Sequence, residues 1–308
     1  MKFKDLKSGD FVESYILVQE CKLRYTINQT PYYGLTISDG ELTMDARIWD
    51  INLKKDIVPG NIYKVSAKIN DFGGRLQAII SMITDVNPDE VDWRDFFRFA
   101  PLSEEEIRIG INTYLNKIKN PIINKVVTNL LAQVEKAFYT FPGGISMHHN
   151  YLSGLSYHTL SMLRLADTFI INYPSLNQDL LYGGIILHDI GKTKELTEAK
   201  TPSYSQQGNI LGHLIIGLQM LTTEANTLGL SETEEVQALS HLLIAHHGEL
   251  EFGSAKEPLM MEAQALYLID LTDSKLAPIH DEVSKTPKGS YTNSILTLNR
   301  RSLYVPKI

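Results

Sequence analysis

Leu42-Thr43-Met44-Asp45-Ala46-Arg47-Ile48-Trp49 decides how the first part of the chain folds. Apolar residues hold its even positions, while Thr43, Asp45, Arg47 and Trp49 share the opposite face. A period of two is what a pleated strand requires when one face is buried and the other is wet. The alternation recurs downstream. Val65, Ala67 and Ile69 oppose Lys64, Ser66 and Lys68, and Leu76, Ala78, Ile80 and Met82 oppose Arg75, Gln77 and Ser81. Upstream, Phe11 to Val18 and Tyr33 to Ile37 add two more runs. Turn sequences separate them: Ser38-Asp39-Gly40, Val58-Pro59-Gly60-Asn61 and Asn70-Asp71-Phe72-Gly73-Gly74. Five short strands in about 80 residues fit a small antiparallel β barrel of the OB type.

After Pro88 the period changes. Ser103-Glu104-Glu105-Glu106 reads as a capping box that opens a helix, followed by apolar residues at Ile107, Ile111, Tyr114, Leu115 and Ile118. Pro121 starts a second helix that turns Val126, Val127, Leu130, Leu131 and Val134 inward. Helical spacing also fits 156–173, 178–190, 209–228, 232–247 and 258–276. The expected architecture is multidomain: an antiparallel barrel over residues 1–87, then an all-α domain over 88–308 with 88–102 as linker.

The chain has 308 residues, 43% of them hydrophobic and 21% charged, which excludes a disordered, collagen-like or coiled-coil protein. Its one cysteine, Cys21, excludes a disulfide framework and a CxxC zinc site. Met1-Lys2-Phe3-Lys4-Asp5-Leu6 lacks the apolar core of a signal peptide, and no apolar run approaches the ~20 residues of a membrane helix. A soluble, cytoplasmic protein without a membrane partner is expected. Its net charge is −7, and residues 1–90 hold 11 Lys and Arg against 13 Asp and Glu. A polyanionic partner must therefore meet a local patch or a metal instead of a general basic field.

His158, His188-Asp189, His213, His246-His247, Asp270 and Asp273 lie on or at the ends of successive helical segments. The gaps of 30, 24, 33 and 24 residues each fit one helix plus a return, so an antiparallel bundle can gather these side chains at one interior place. Imidazole and carboxylate without thiolate suit Mn, Fe, Co, Ni or Zn, in a site with positions left open for water. Asp189 lies within the apolar stretch from Gly183 to Ile190, where an uncompensated charge is expensive, and a metal would supply its partner. A lone His241 or His280 reads as an ordinary surface or core histidine.

The ordered series His158, His188-Asp189 and Asp270 resembles the H…HD…D signature of HD-domain metal phosphohydrolases. Several longer stretches are similar to the YhaM family of bacterial 3′→5′ exoribonucleases, which join an N-terminal OB fold to an HD domain. They are Phe141-Pro142 through His148-His149, Gly154 to Met162, His188-Asp189-Ile190-Gly191-Lys192, Gly212-His213 and His246 to Ser254. The resemblance covers essentially the whole chain in the same domain order. It implies that His158, His188, Asp189 and Asp270 hold a first divalent ion. Asp189 would bridge to a second ion held by His213 and His246, with His247 beside them. One or two ions fit, with Mn²⁺ expected and Fe, Co, Ni or Zn compatible. Asp189, Lys192 and His213 would carry catalysis, Lys192 neutralising a phosphate oxygen. His149, Lys192 and His247 would contact substrate, with His148 as a neighbour. The resemblance favours Asp270 over Asp273, because the superfamily's Asp follows an apolar helix, here Ala265-Leu266-Tyr267-Leu268-Ile269.

The barrel offers grip. Tyr32, Tyr33, Trp49 and Phe72 provide flat faces for bases of any identity, and Arg47, Arg75, Lys64 and Lys68 can meet the backbone. The expected function is hydrolysis of the terminal 3′ phosphodiester of single-stranded RNA, with single-stranded DNA as an alternative polymer, to give nucleoside 5′-monophosphates. Two rivals use the same residues. One is an HD phosphohydrolase of free or cyclic nucleotides; the other is a non-enzymatic single-strand DNA-binding, replication-associated protein. Self-association is compatible with the sequence.

Overall fold

The computed structural model describes residues 2–87, 90–145 and 150–308. The chain divides into two compact units, Met1–Arg98 and Phe99–Ile308. In the first, β1 (Phe11–Tyr25), β2 (Pro31–Ser38), β3 (Thr43–Ile48), β4 (Ile62–Phe72) and β5 (Arg75–Asp85) close a barrel in the order β1-β2-β3-β5-β4. Four ladders are antiparallel, but β3 and β5 pair in parallel where the barrel closes. The antiparallel expectation is corrected at that seam. β1 runs seven residues past the expected Val18, because its first half pairs with β4 and its second half with β2. A register shift between Val18 and Glu20 bends the strand from one partner to the other.

Inside the barrel Ile16, Leu35, Ile37, Ala46, Ile48, Val65, Ala67 and Ile69 form one core, as alternation requires. Met82 departs from the pattern. Ser66 pairs with Met82 but Ala67 pairs with Ile80, so Ser81 is an extra residue and the phase of β5 slips by one. The slip leaves Met82 55% exposed and turns Ile83 inward at 5%.

In the second unit the described residues form nine helices. α1 (Glu104–Leu115) opens with the expected box: Ser103 Oγ accepts from the Glu106 N–H, and the Ser103 N–H donates to Glu106 Oε2 at 2.8 Å. α2 (Pro121–Gln133) starts with Pro121 behind an Asn120 cap, and α3 (Glu135–Thr140) follows. α4 (Gly154–Asn172), α5 (Gln178–Leu187), α6 (Lys192–Glu195), α7 (Gln206–Leu228), α8 (Glu234–Ala245) and α9 (Met261–Lys285) complete the bundle. Every residue from Leu180 to Leu187 is buried, so α5 is the central rod against which α1, α2, α4, α8 and α9 pack. Asp167 of α4 ties two helices together, accepting from the Tyr114 hydroxyl at 2.8 Å and the Tyr182 hydroxyl at 2.5 Å. No helix among the described residues is long and apolar enough to cross a membrane.

The register slip is testable. Ile83→Ala should destabilise the barrel by about 2–5 kcal/mol, whereas Met82→Ala should stay within about 0.5 kcal/mol of wild type. Urea unfolding of both variants checks this, and equal losses would place the slip elsewhere.

Candidate metal centre

The central rod ends where the chemistry begins. His188 caps α5, and its Nδ1–H donates to the Ile185 carbonyl at 2.7 Å, one of the carbonyls a helix end leaves without a partner. His246 caps α8 in the same way, donating from Nδ1 to the Leu243 carbonyl at 2.8 Å. A carbonyl only accepts, so Nδ1 carries the proton in both rings and Nε2 presents its lone pair. His247 is held by the Phe252 carbonyl at 3.0 Å. His158 Nδ1 lies 2.7 Å from Asp273 Oδ2, and His213 Nδ1 lies 3.3 Å from Glu195 Oε1. All five imidazoles are thus anchored through Nδ1, the arrangement that orients ring ligands toward a metal.

Their other nitrogens converge. His158, His188 and Asp270 each bring a ligand atom within 4.8 Å of the others, and so do His213, His246 and His247. Asp189 lies between the two triads. Its Oδ2 is 3.3 Å from His188 Nε2, and its Oδ1 is 3.4 Å from His213 Nε2 and 3.9 Å from His246 Nε2. The Nε2 atoms of His188 and His213 are buried and make no hydrogen bond. Buried lone pairs aimed at a carboxylate have no proton to share with it. A cation between them resolves that conflict, so these residues fit a divalent ion.

Electrostatics point the same way. Against the cost of burial, the Lys192 ammonium holds the Asp189 carboxyl well below its ordinary range. Burial likewise disfavours a charged His158, but Asp270 and Asp273 push it up to about 10, so a proton lies between ring and carboxylate at a place that a bound ion would take over. Burial and neighbouring imidazoles drive His246 far down and lower His247, which keeps both neutral and able to ligate. Lys192 donates from Nζ to Asp189 Oδ2 and to the Gly143 carbonyl, both at 2.7 Å.

α7 reaches the centre through a break. Gly212 has φ +69° and ψ 163°, which interrupts the helix one residue before His213. The His213 N–H, freed from the helical ladder, donates to Glu195 Oε1 at 3.0 Å. Gly191 allows the approach: a Cβ there would lie 2.0 Å from the His213 carbonyl oxygen and 2.8 Å from the Gly217 nitrogen.

The HD domain family matches residues 155–275, which include every residue of both triads. Across 301 residues the chain is 36% identical to the 3′-5′ exoribonuclease YhaM of Geobacillus sp. (strain WCH70), covering 97% of this chain and 93% of that one. The chain belongs to the YhaM family. The 3′-5′ exoribonuclease YhaM of Bacillus subtilis (strain 168) is also 36% identical, over 97% of this chain and 96% of its own length.

In this YhaM-family chain His158, His188, Asp189, Lys192, His213, His246, His247 and Asp270 are gathered at one place. Asp273 stands behind His158 and does not enter either triad. His148 and His149 lie outside the described residues. His280 is exposed and apart, and His241 accepts from the Leu259 N–H. On the barrel, the Arg47 guanidinium lies over Tyr32, Trp49 and Phe72 at 5.2–5.5 Å, and Arg75 pairs across the β4–β5 turn with Phe72. Tyr33 stands apart from this cluster and packs half-buried against the barrel core. Lys64 is paired with Glu13, and Lys68 covers Phe11.

Sequence reading does not reach Glu195. It has no ligand spacing, and its one signal is Gly212, a glycine set before a histidine inside a helical pattern. Glu195→Ala should weaken divalent-ion affinity about 10–100-fold, whereas Glu195→Gln, which keeps an oxygen acceptor, should retain most of it. Titration calorimetry with Mn²⁺ measures both, and unchanged binding by the alanine variant would remove Glu195 from the centre.

Proposed function

We propose that this chain is a metal-dependent 3′→5′ exoribonuclease that removes nucleoside 5′-monophosphates from single-stranded RNA, with single-stranded DNA as a secondary polymer. Its family is one of exoribonucleases by the names of its relatives. The observation that carries the reading is Asp189, which turns one carboxylate oxygen toward each triad. In this reading His158, His188, Asp189 and Asp270 would hold one divalent ion, and His213, His246 and His247, with Asp189, would hold a second. A ligand set without sulfur, mixing imidazole and carboxylate, suits Mn²⁺. When bound, such ions supply Lewis acidity and a water-derived nucleophile at neutral pH.

The chain's own groups do the rest. The anchored Nδ1–H bonds fix five rings before substrate arrives, so little reorganisation is left for the reaction. Lys192 is the ammonium group of the centre, positioned to offset charge on the scissile phosphate. His247, more exposed than His246, is placed to face substrate. On the barrel, the Arg47–Tyr32–Trp49–Phe72 cluster offers aromatic faces and one cation to a passing strand. Such a platform has no use for a free mononucleotide, and it favours the polymer over the small-substrate rival. Cytoplasmic RNA is the substrate pool consistent with this reading.

A time course on 5′-labelled single-stranded RNA with Mn²⁺ should give a ladder shortening from the 3′ end. EDTA should abolish it, and Asp189→Ala should slow it at least about 100-fold. Intact RNA with ion-loaded protein would end the nuclease reading and favour a small nucleotide. The barrel carries a separate expectation. Changing Arg47 and Trp49 together to Ala should raise KM for an oligonucleotide about tenfold and leave hydrolysis of a small aryl phosphodiester unchanged.

A further inference from the structure

The last stretch of the chain is basic within an acidic protein. Residues 285–308 hold five of the 29 Lys and Arg and none of the 36 Asp and Glu, in a protein of net charge −7. Acidic chains that handle a polyanion must concentrate their cations locally. This segment does so, and it is folded.

It forms a small hairpin closed by β-bridges between Tyr291 and Tyr304 and between Ile295 and Arg301. Backbone bonds from Thr292 to Leu303, Gly289 to Val305 and Val305 to Ser290 lace its two arms. Thr292, Ile295 and Val305 are buried and anchor one face. Alternation sends their neighbours outward: Tyr291 is 69% and Tyr304 50% exposed, with ring centroids 5.4 Å apart. At the tip, Asn299 and Arg300 both take left-handed backbone conformations, with φ +53° and +61°. Such conformations cost free energy outside glycine, and here the turn leaves Arg300 and Arg301 exposed, with Arg301 donating from Nε to the Leu298 carbonyl at 3.0 Å. The nearest carboxylates on the preceding helix are Asp281 and Glu282, and Glu282 accepts from Asn293.

We propose that this hairpin is a second RNA-binding surface, in which Tyr291 and Tyr304 stack on bases and Arg300 and Arg301 contact phosphates. The occupant is single-stranded RNA and not an anionic membrane, because two exposed tyrosine rings beside paired guanidinium groups match bases on a phosphate chain. The inference rests on the polymer substrate proposed above. Asp270 and Lys285 lie 15 residues apart on α9, about 22 Å of helix, so the root of the hairpin is well separated from Asp270. It would hold the body of a long strand and would be out of reach of a trinucleotide.

The test uses the full chain in EDTA, where RNA is bound but not cut. Anisotropy of a labelled RNA of about 20 nucleotides is followed across a salt titration, with trinucleotide binding in parallel. Changing Arg300 and Arg301 to Ala should weaken long-RNA binding about tenfold at low salt and reduce the salt slope by about 1.4. Changing Tyr291 and Tyr304 to Ala should cost about tenfold with the slope unchanged. Trinucleotide binding, and Mn²⁺-dependent hydrolysis of a small aryl phosphodiester, should match wild type in both variants. Wild-type affinity and slope in both variants would overturn the proposal. A smaller oligomer on size exclusion with unchanged RNA affinity would also overturn it, in favour of self-association. Loss of aryl phosphodiester hydrolysis by the unaltered protein would instead count against the nuclease reading, leaving the binding comparison to stand by itself.

Discussion

Asp189 is a carboxylate sealed at the end of the most buried helix in the bundle, and an anion in that position costs several kcal/mol unless cationic groups face it. Much of the helical unit can be understood as an answer to that cost. α5 must end at Leu187 so that Asp189 can leave the rod, α6 must start at once so that Lys192 folds back on it, and α7 and α8 bring to its far side imidazoles whose bare nitrogens fit a cation. The apolar packing supplies the stability. The carboxylate dictates which ends of which helices meet.

Helix termini are used here as tools for aiming. An α-helix leaves its last carbonyls without partners, and in α5 and α8 the histidine that follows takes up the carbonyl three residues back. One bond then does two things: it finishes the helix, and it fixes which nitrogen of the ring is bare. Where no helix end is at hand, a carboxylate replaces the carbonyl, as Asp273 does for His158 and Glu195 for His213. The Nδ1 anchor thus recurs on two kinds of support, a helix-end carbonyl and a carboxylate.

How much of this the sequence discloses depends on whether the signal is periodic. Alternation at Leu42–Trp49 and Val65–Ile69 is a local consequence of pleating, and it leads to the barrel strands. The helix that begins at Ser103 is equally legible, because a capping box is written in four residues. The phase slip at Ser81 is not legible: one extra residue looks like any other until its partner strand is known, and so Met82 reads as core when Ile83 holds that place. The same holds for the parallel seam between β3 and β5, which depends on closure and not on either strand alone. At the centre, spacing by helix length brings His158, His188, His213 and His246 together on paper. Glu195 escapes, and Asp273 is seen only as a rival to Asp270, since both act through contacts between segments distant in the chain. On the barrel, Tyr32 and Tyr33 are indistinguishable by composition, and only Tyr32 joins Arg47.

Gly191 offers the final consequence. α7 rests on the turn after Asp189 with backbone against backbone, at a distance that leaves no room for a methyl group. The spacing between these two segments is therefore set by atoms that are missing. A residue of any size at 191 would act as a wedge, lifting the His213 end of α7 away from Asp189 while every donor atom stayed in the molecule. In a mutational scan such a position would rank with the ligands, although it offers no chemistry of its own. The centre is as sensitive to volume as it is to charge.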